Sequence, residues 1–216
     1  MRTKTLVVTA LCGLVSSAAV MAQSVYSLNA VGYVNTVIPT GFSIIANPLN
    51  AATNTLSSLL AGAPEGTMVY KYSGANFDSA TFSQNDAGVL TWDNDLTLVP
   101  GEGAWINNPS APFTNTFVGE VVTGTNTIAV PVGYSLKGSI VPQAGVLNTD
   151  LGYPAQEGDA IYLYDNSIKN FVVSNYGQDD AGNLVWDNIP TIKVGQGFWI
   201  YTTTAKSWTR VFNLNN

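Results

Sequence analysis

Phe82-Ser-Gln-Asn-Asp-Ala-Gly-Val-Leu-Thr-Trp-Asp-Asn94 is answered 94 residues later by Tyr176-Gly-Gln-Asp-Asp-Ala-Gly-Asn-Leu-Val-Trp-Asp-Asn188. Working outward, Gly101-Glu-Gly-Ala-Trp-Ile106 matches Gly195-Gln-Gly-Phe-Trp-Ile200 at the same spacing. Toward the N-terminus, Glu65-Gly-Thr-Met-Val-Tyr-Lys-Tyr72 matches Glu157-Gly-Asp-Ala-Ile-Tyr-Leu-Tyr164 at a spacing of 92, as does Pro39-Thr-Gly-Phe-Ser43 with Pro131-Val-Gly-Tyr-Ser135. The two extra residues fall where Ser73-Gly-Ala75 becomes Asp165-Asn-Ser-Ile-Lys169, a loop, where insertions are tolerated. The chain is a tandem duplication.

Each copy reads as short strands. In the first, Thr36–Ile38 and Phe42–Ala46 flank a Pro-Thr-Gly turn. Met68–Tyr72, Ala80–Gln84, Leu90–Trp92, Leu96–Val99, Ala104–Asn107 and Thr114–Val122 complete the set. Asp86-Ala-Gly88 has the composition of a hairpin turn, with glycine at the position of positive φ. One short helix is predicted over Thr55–Ala61, capped by Thr53 or Asn54 and ended by Gly62 and Pro64, with a weaker counterpart at Leu147–Leu151. The fold class is therefore all-β: two tandem homologous sandwich-like or barrel-like units, 35–122 and 123–216, each with at most one short helix.

The N-terminus reads as an address. Arg2 and Lys4 precede an apolar run from Leu6 to Val20, followed by Met21-Ala22, which predicts a secretory signal peptide over 1–22. Cleavage leaves 194 of 216 residues, and with Arg2 and Lys4 gone, six cations against fourteen acids give a net charge of −8. The one cysteine, Cys12, leaves with the leader, so the exported chain depends on its core and not on disulfides. No second apolar stretch is long enough to span a membrane as a helix, and the expected location is extracellular or on a bacterial cell surface. Residues 23–34 form an arm. Its Ala30-Val-Gly-Tyr-Val34 resembles Phe117-Val-Gly-Glu-Val121 at the join between units, so Val31, Gly32, Tyr33 and Val34 are candidates for an exchanged strand that pairs with a neighbouring molecule. The plainer expectation is that the arm folds back onto its own sheet.

Composition narrows the chemistry. Only 22 residues are charged, 10% of the chain, and histidine is absent. There is no basic cluster to meet phosphates, so nucleic acid is not an expected partner. Without His or a mature Cys there is no Ser-His-Asp triad, no thiol nucleophile and no ordinary zinc site. No phosphate loop is present, and Gly101-Glu-Gly103 and Gly195-Gln-Gly197 each lead into a predicted strand, not a helix. A carboxylate pair roughly 5–10 Å apart would permit glycoside hydrolysis. The recurrent acids are Glu65/Glu157, Asp86/Asp180 and Asp93/Asp187, and turn geometry explains their recurrence more simply. Glu102 becomes Gln196 in the second copy, which argues against a shared structural acid there. The expectation is a non-enzyme without a cofactor. Ca²⁺ is the one candidate ion, on Asp86, Asp93, Asp95, Asp179, Asp180 and Asp187, for which solvated turns are the plainer reading.

Aromatic residues are the other lead. Trp92/Trp186 and Trp105/Trp199 recur with alternating apolar neighbours and are expected in the core, while Trp208 matches Phe113 loosely. The polar-flanked Tyr33, Tyr176 and Tyr201 are the candidate ligand-binding rings.

Val31-Gly-Tyr-Val34, Pro39-Thr-Gly-Phe-Ser43, Ile45-Ala-Asn-Pro-Leu-Asn50, Pro100-Gly-Glu-Gly103, Phe117-Val-Gly-Glu120 and Ser207-Trp-Thr-Arg210 together resemble a family of secreted, uncharacterised β-rich proteins from verrucomicrobial-type bacteria. The resemblance implies an exported β protein and supplies no catalytic residue or cofactor. The functional expectation is a secreted structural protein of the surface or matrix, self-assembling through the arm. The alternative is a carbohydrate-binding module with two related sites. An outer-membrane barrel and a carboxylate hydrolase rank below these. Partners are then a second copy or a cell-surface polymer.

Overall fold

Strands dominate because β-branched and aromatic residues alternate with polar ones between turns rich in Gly, Asn and Asp. The computed structural model describes residues 30–213; the expected leader over 1–22, its expected cleavage point and arm residues 23–29 lie outside the described residues. The first unit comprises β1 (Val31–Ile38), β2 (Gly41–Ala46), α1 (Leu56–Leu59), β3 (Met68–Tyr72), β4 (Phe77–Gln84), β5 (Leu90–Trp92), β6 (Gly103–Asn108) and β7 (Phe113–Glu120). The second comprises β8 (Gly124–Val130), β9 (Gly133–Lys137), β10 (Gly145–Val146), β11 (Ala160–Asp165), β12 (Asn170–Gln178), β13 (Leu184–Trp186), β14 (Thr191–Ile192), β15 (Phe198–Thr202) and β16 (Lys206–Phe212).

Both units share one plan. Five antiparallel strands pair in the order β2-β6-β3-β4-β5, and their equivalents in the order β9-β15-β11-β12-β13. A two-stranded ribbon, β1-β7 or β8-β16, covers one face of each sheet, and none of these sheets closes into a barrel. The first core is sandwiched between Ile38 and Phe117 of the ribbon and Ile45, Val69, Ala104 and Ile106 of the sheet, all but fully buried. Burying a side chain such as Phe117 contributes about 1.5–3 kcal/mol. Ile128, Val130 and Trp208 from the second ribbon meet Ile161, Phe198 and Ile200 in the same way.

Several local expectations need correction. Leu96–Val99 is not a strand. Only Thr97 makes a bridge, to Thr55, and Leu98 turns into the core, donating its N–H to the Asn54 carbonyl at 2.7 Å. The helix has four residues and its N-cap is Thr55, not Thr53 or Asn54, because the Asn54 amide oxygen already accepts from Asn47 and from the Ala51 N–H. Asp95 instead accepts the first-turn N–H of Ser57 at 2.8 Å. The counterpart over Leu147–Leu151 is a turn. Trp208 is equivalent to Asn115 and not to Phe113. Asn115 donates to the Leu59 carbonyl at 3.0 Å, and Trp208 donates to the Leu151 carbonyl, the same place in the second unit, at 2.7 Å.

The arm folds back. Strand β1 pairs with β7 of the same chain over eight residues, from Val31 opposite Glu120 to Ile38 opposite Phe113. The β8-β16 ribbon repeats this arrangement, so the first strand of each unit pairs with its last.

A seam joins the two units, and its backbone bonds are related by the repeat. The Ala46 N–H donates to the Gly195 carbonyl at 2.9 Å, and the Gly138 N–H donates to the Gly101 carbonyl at 3.1 Å. Isolated bridges pair Ile45 with Gln196 and, equivalently, Lys137 with Glu102. Gly103 and Gly197 sit where the backbones approach closely. A Cβ on Gly197 would lie 2.5 Å from the Ile45 carbonyl oxygen, and one on Gly103 would lie 2.9 Å from that of Lys137. Close approach across the seam is therefore the physical reason for the second glycine of each Gly-x-Gly-x-Trp-Ile motif. The units form a pseudo-two-fold pair within one chain.

Candidate functional site: paired aromatic clefts

Strand alternation puts Ala104 and Ile106 of β6 into the core and Trp105 on the opposite face of the sheet. Registry then collects rings around it: Tyr70 lies opposite Trp105, and Tyr72 lies opposite Phe77. Phe42 meets Trp105 edge-on, with centroids 6.0 Å apart at 88°. The second sheet repeats the set as Tyr134, Tyr162, Tyr164, Phe171 and Trp199, with Tyr134 edge-on to Trp199 at 6.2 Å and 86°. All five pairs stand at the repeat spacings of 92 or 94.

The two rows meet across the seam. Trp105 contacts Tyr164 and Phe171 at 4.8 and 5.9 Å, and Trp199 contacts Tyr72 and Phe77 at 4.9 and 6.2 Å. Each tryptophan thus docks edge-on against the other unit, a geometry worth about 0.5–1.5 kcal/mol per pair beyond area burial. Two shallow clefts remain. One, of about 430 Å³, is walled by Phe42, Tyr70, Phe77, Trp105 and Tyr164. The other, of about 400 Å³, is walled by the equivalents Tyr134, Tyr162, Phe171, Trp199 and Tyr72, with Phe77 shared between both. The rims stay open to solvent: Phe42 is 44%, Phe77 48% and Tyr134 49% exposed. The clefts differ in one polar detail. Tyr134 and Tyr162 hydroxyls lie 3.4 Å apart, and this hydrogen bond, with burial and the neighbouring Tyr201, pushes the Tyr162 phenol up to about 12.

A larger polar cleft of about 670 Å³ lies between β1 and the second unit. Several of its side chains are engaged in the fold, while the Thr36 and Ser43 hydroxyls lie buried there without a hydrogen-bond partner. Asn166 donates to the Thr40 and Phe42 carbonyls, Gln196 accepts the Lys193 N–H, and Asp165 accepts from Ser167. The aromatic clefts, whose rings pack edge to edge and stay partly exposed, are the better candidate for a ligand site.

The candidate tyrosines are scattered. Tyr33 is 76% exposed on the β1-β7 ribbon, opposite Val118. Tyr176 stacks on Trp186 at 4.9 Å beside the second core, as Phe82 does on Trp92 at 5.3 Å. Tyr201 lines neither cleft but packs behind one of them, against the cleft ring Tyr134 at 4.9 Å. Trp92 and Trp186 are buried as expected, whereas Trp105 and Trp199 are half-buried on the far face and not in either core. The ring partners the sequence reading missed share a phase of alternation opposite to Val69 and Ile106, and that signal was present in the repeat.

The acids serve turns. Asp93 accepts the Thr81 N–H and Asp187 the Asn175 N–H, each at 2.7 Å. Asp179 accepts the N–H groups of Ala181 and Asn183, a role its equivalent Asn85 fills without charge. These hydrogen bonds hold Asp179 and Asp187 below the ordinary carboxylate range. Asp95 caps α1, and Asp86 and Asp180 are exposed at the hairpin tips. Among the described residues no three Asp or Glu side chains converge as a cation site. Glu102 and Gln196 do share a structural task, contrary to expectation: each accepts the N–H three residues before it, that of Val99 or Lys193, at 3.0 Å. Glu102 additionally pairs with Lys71 at 2.8 Å, where the second unit carries Leu163 and needs no charge. Nearby, burial pulls the Lys137 ammonium below its usual value, opposed by the Glu102 carboxylate.

No protein-family model, curated protein or solved structure matches the chain.

Proposed function

We propose that this is an exported, non-catalytic binding protein of the bacterial surface or matrix, whose two aromatic clefts hold a neutral carbohydrate chain. The observation that carries this reading is the repeated set of rings left exposed at the seam. Five ring positions recur in both units, and they leave open clefts where glue alone would need only the Trp105 and Trp199 contacts. Rigid rings offer flat apolar faces for the C–H faces of sugars at low entropic cost, and phenol hydroxyls at the rims supply polar contacts. The net acidity of the chain and the absence of cations among the cleft walls disfavour an anionic polymer.

The test is retention on a panel of insoluble neutral polysaccharides, with Phe42→Ala and Tyr134→Ala as single and double variants. These rim rings are far enough exposed to be truncated without opening a core. Partial loss in each single variant and near-complete loss in the double variant is expected. Unaltered retention in the double variant, or no retention of the wild type anywhere on the panel, overturns the proposal.

A second reading, assembly through the β1-β7 ribbon, draws on the exposed strip of Val31, Tyr33, Val37 and Val118, which are 56–76% open to solvent. Strand exchange would first have to break the eight-residue pairing with β7. A Tyr33→Ser, Val118→Ser variant that leaves light scattering unchanged from a self-associating wild type removes this reading.

A further inference from the structure

We propose that Lys206 and Asp159 condense into an intramolecular isopeptide bond that locks the last strand of the second unit. Lys206 opens β16, and Asp159 immediately precedes β11. The lysine Nζ lies 2.6 Å from Asp159 Oδ2, with the two side chains 6% and 1% exposed, so the reacting groups are held together in a site that excludes water. Such confinement replaces a bimolecular encounter by a positioned one.

The surroundings differentiate the two carboxyl oxygens. Oδ2 accepts from the Tyr153 hydroxyl at 3.0 Å and from the Gln156 N–H at 2.9 Å, a pair of donors suited to an oxyanion on that atom. Burial and the adjacent carboxylate push the Tyr153 phenol far up, which keeps it a proton-bearing donor. Oδ1 is buried and has no partner. The geometry therefore assigns Oδ2 to the amide carbonyl and Oδ1 to the departing oxygen.

The step balances without a co-reactant. Nζ passes one proton to the carboxylate and attacks Cγ; with that proton held on Oδ1, the C–N bond forms and Oδ2 carries the negative charge between the two donors. A second nitrogen proton passes to Oδ1, the Cγ–Oδ1 bond breaks, and water leaves. Ammonium plus carboxylate becomes a neutral amide plus water. A desolvated ion pair, costly to keep charged in a dry interior, is thereby replaced by an uncharged link.

The first unit offers an internal contrast. Thr67 and Phe113 occupy the equivalent places, so only the second unit can close the bond. The link would tie positions 47 residues apart in a chain whose single cysteine precludes an intramolecular disulfide.

The test is the intact mass of the denatured wild-type protein, its N-terminus fixed by sequencing, with proteolytic mapping. A mass lower by one water than the sequence requires, and a branched peptide joining the Asp159 and Lys206 fragments, are expected. Lys206→Arg keeps a cation at the site but offers no amine to acylate, and its mass should equal its sequence. A wild type at full sequence mass, or a water loss mapped to another residue, overturns the proposal. The wild-type measurement decides even if the variant fails to fold, and it is independent of any carbohydrate binding.

Discussion

Gly197→Ala tests the seam on which both clefts depend. The residue lies in no glycine-only backbone region, so alanine should by itself stabilise the chain by about 0.4–1 kcal/mol through the unfolded state. The new methyl, however, would lie 2.5 Å from the Ile45 carbonyl oxygen and 2.6 Å from Ile44 Cγ2. Backbone cannot swing aside as a side chain can. The seam must open, and the Gly197 N–H to Ile44 carbonyl bond at 3.1 Å and the Ala46 N–H to Gly195 carbonyl bond at 2.9 Å would lengthen with it. Two backbone bonds at about 1 kcal/mol each, with about 1–3 kcal/mol of overpacking, outweigh the entropic gain and leave a net loss of about 2–4 kcal/mol. For a chain of this size that is a drop in Tm of roughly 5–15 °C. The assay is urea unfolding followed by tryptophan fluorescence, which also reports Trp105 and Trp199 at the seam. Gly62→Ala is the control: no atom lies within 4 Å of its added methyl and its φ is ordinary, so the sign should reverse. Gly197→Ala as stable as wild type would refute the close-approach account of the motif and with it the rigid seam.

Trp208→Phe should cost about 2–4 kcal/mol in urea titration, because it shrinks a fully buried side chain and orphans the Leu151 carbonyl; a cost below 1 kcal/mol would contradict the assigned bond. Asn47→Ala should lose about 2–4 kcal/mol, since this fully buried amide donates to Asn54 and the Leu98 carbonyl and accepts the Leu49 N–H, and apolar truncation leaves those groups unpaired. In acid, the folded-state lowering of Asp179 and Asp187 below 3.8 means their contribution is full above that value and is lost as pH falls through their folded pKa; Asp187→Asn should flatten this part of a stability–pH profile. In alkali the sign reverses: Tyr162, raised from 10.0 to about 12, stabilises fully below pH 10 and loses that contribution between pH 10 and 12, and Tyr134→Phe should move the phenolate absorbance transition to lower pH.

The repeat made much of this legible. Copied turns such as Asp86-Ala-Gly88 and Asp180-Ala-Gly182 do carry positive φ at their glycines, +75° and +81°, because only that geometry closes the hairpin without strain. Period-2 alternation in Ala104-Trp105-Ile106 announced two faces. It did not say that the second face is covered by the other unit, and for that reason Trp105 was expected in a core. Helix boundaries escaped because the cap came from Asp95, 38 residues away. Equivalence of Trp208 with Asn115 escaped because the residues share no chemistry beyond an N–H aimed at one carbonyl.

By itself the amino-acid sequence determined a duplicated, charge-poor, histidine-free β chain, since composition and spacing are local properties that no packing can alter. Where the two copies touch is a long-range property. It depends on backbone approach at Gly103 and Gly197 and on ring faces separated by 59 to 127 residues along the chain. Only the tertiary structure, by laying one sheet against the other, could turn ten scattered aromatics into two clefts.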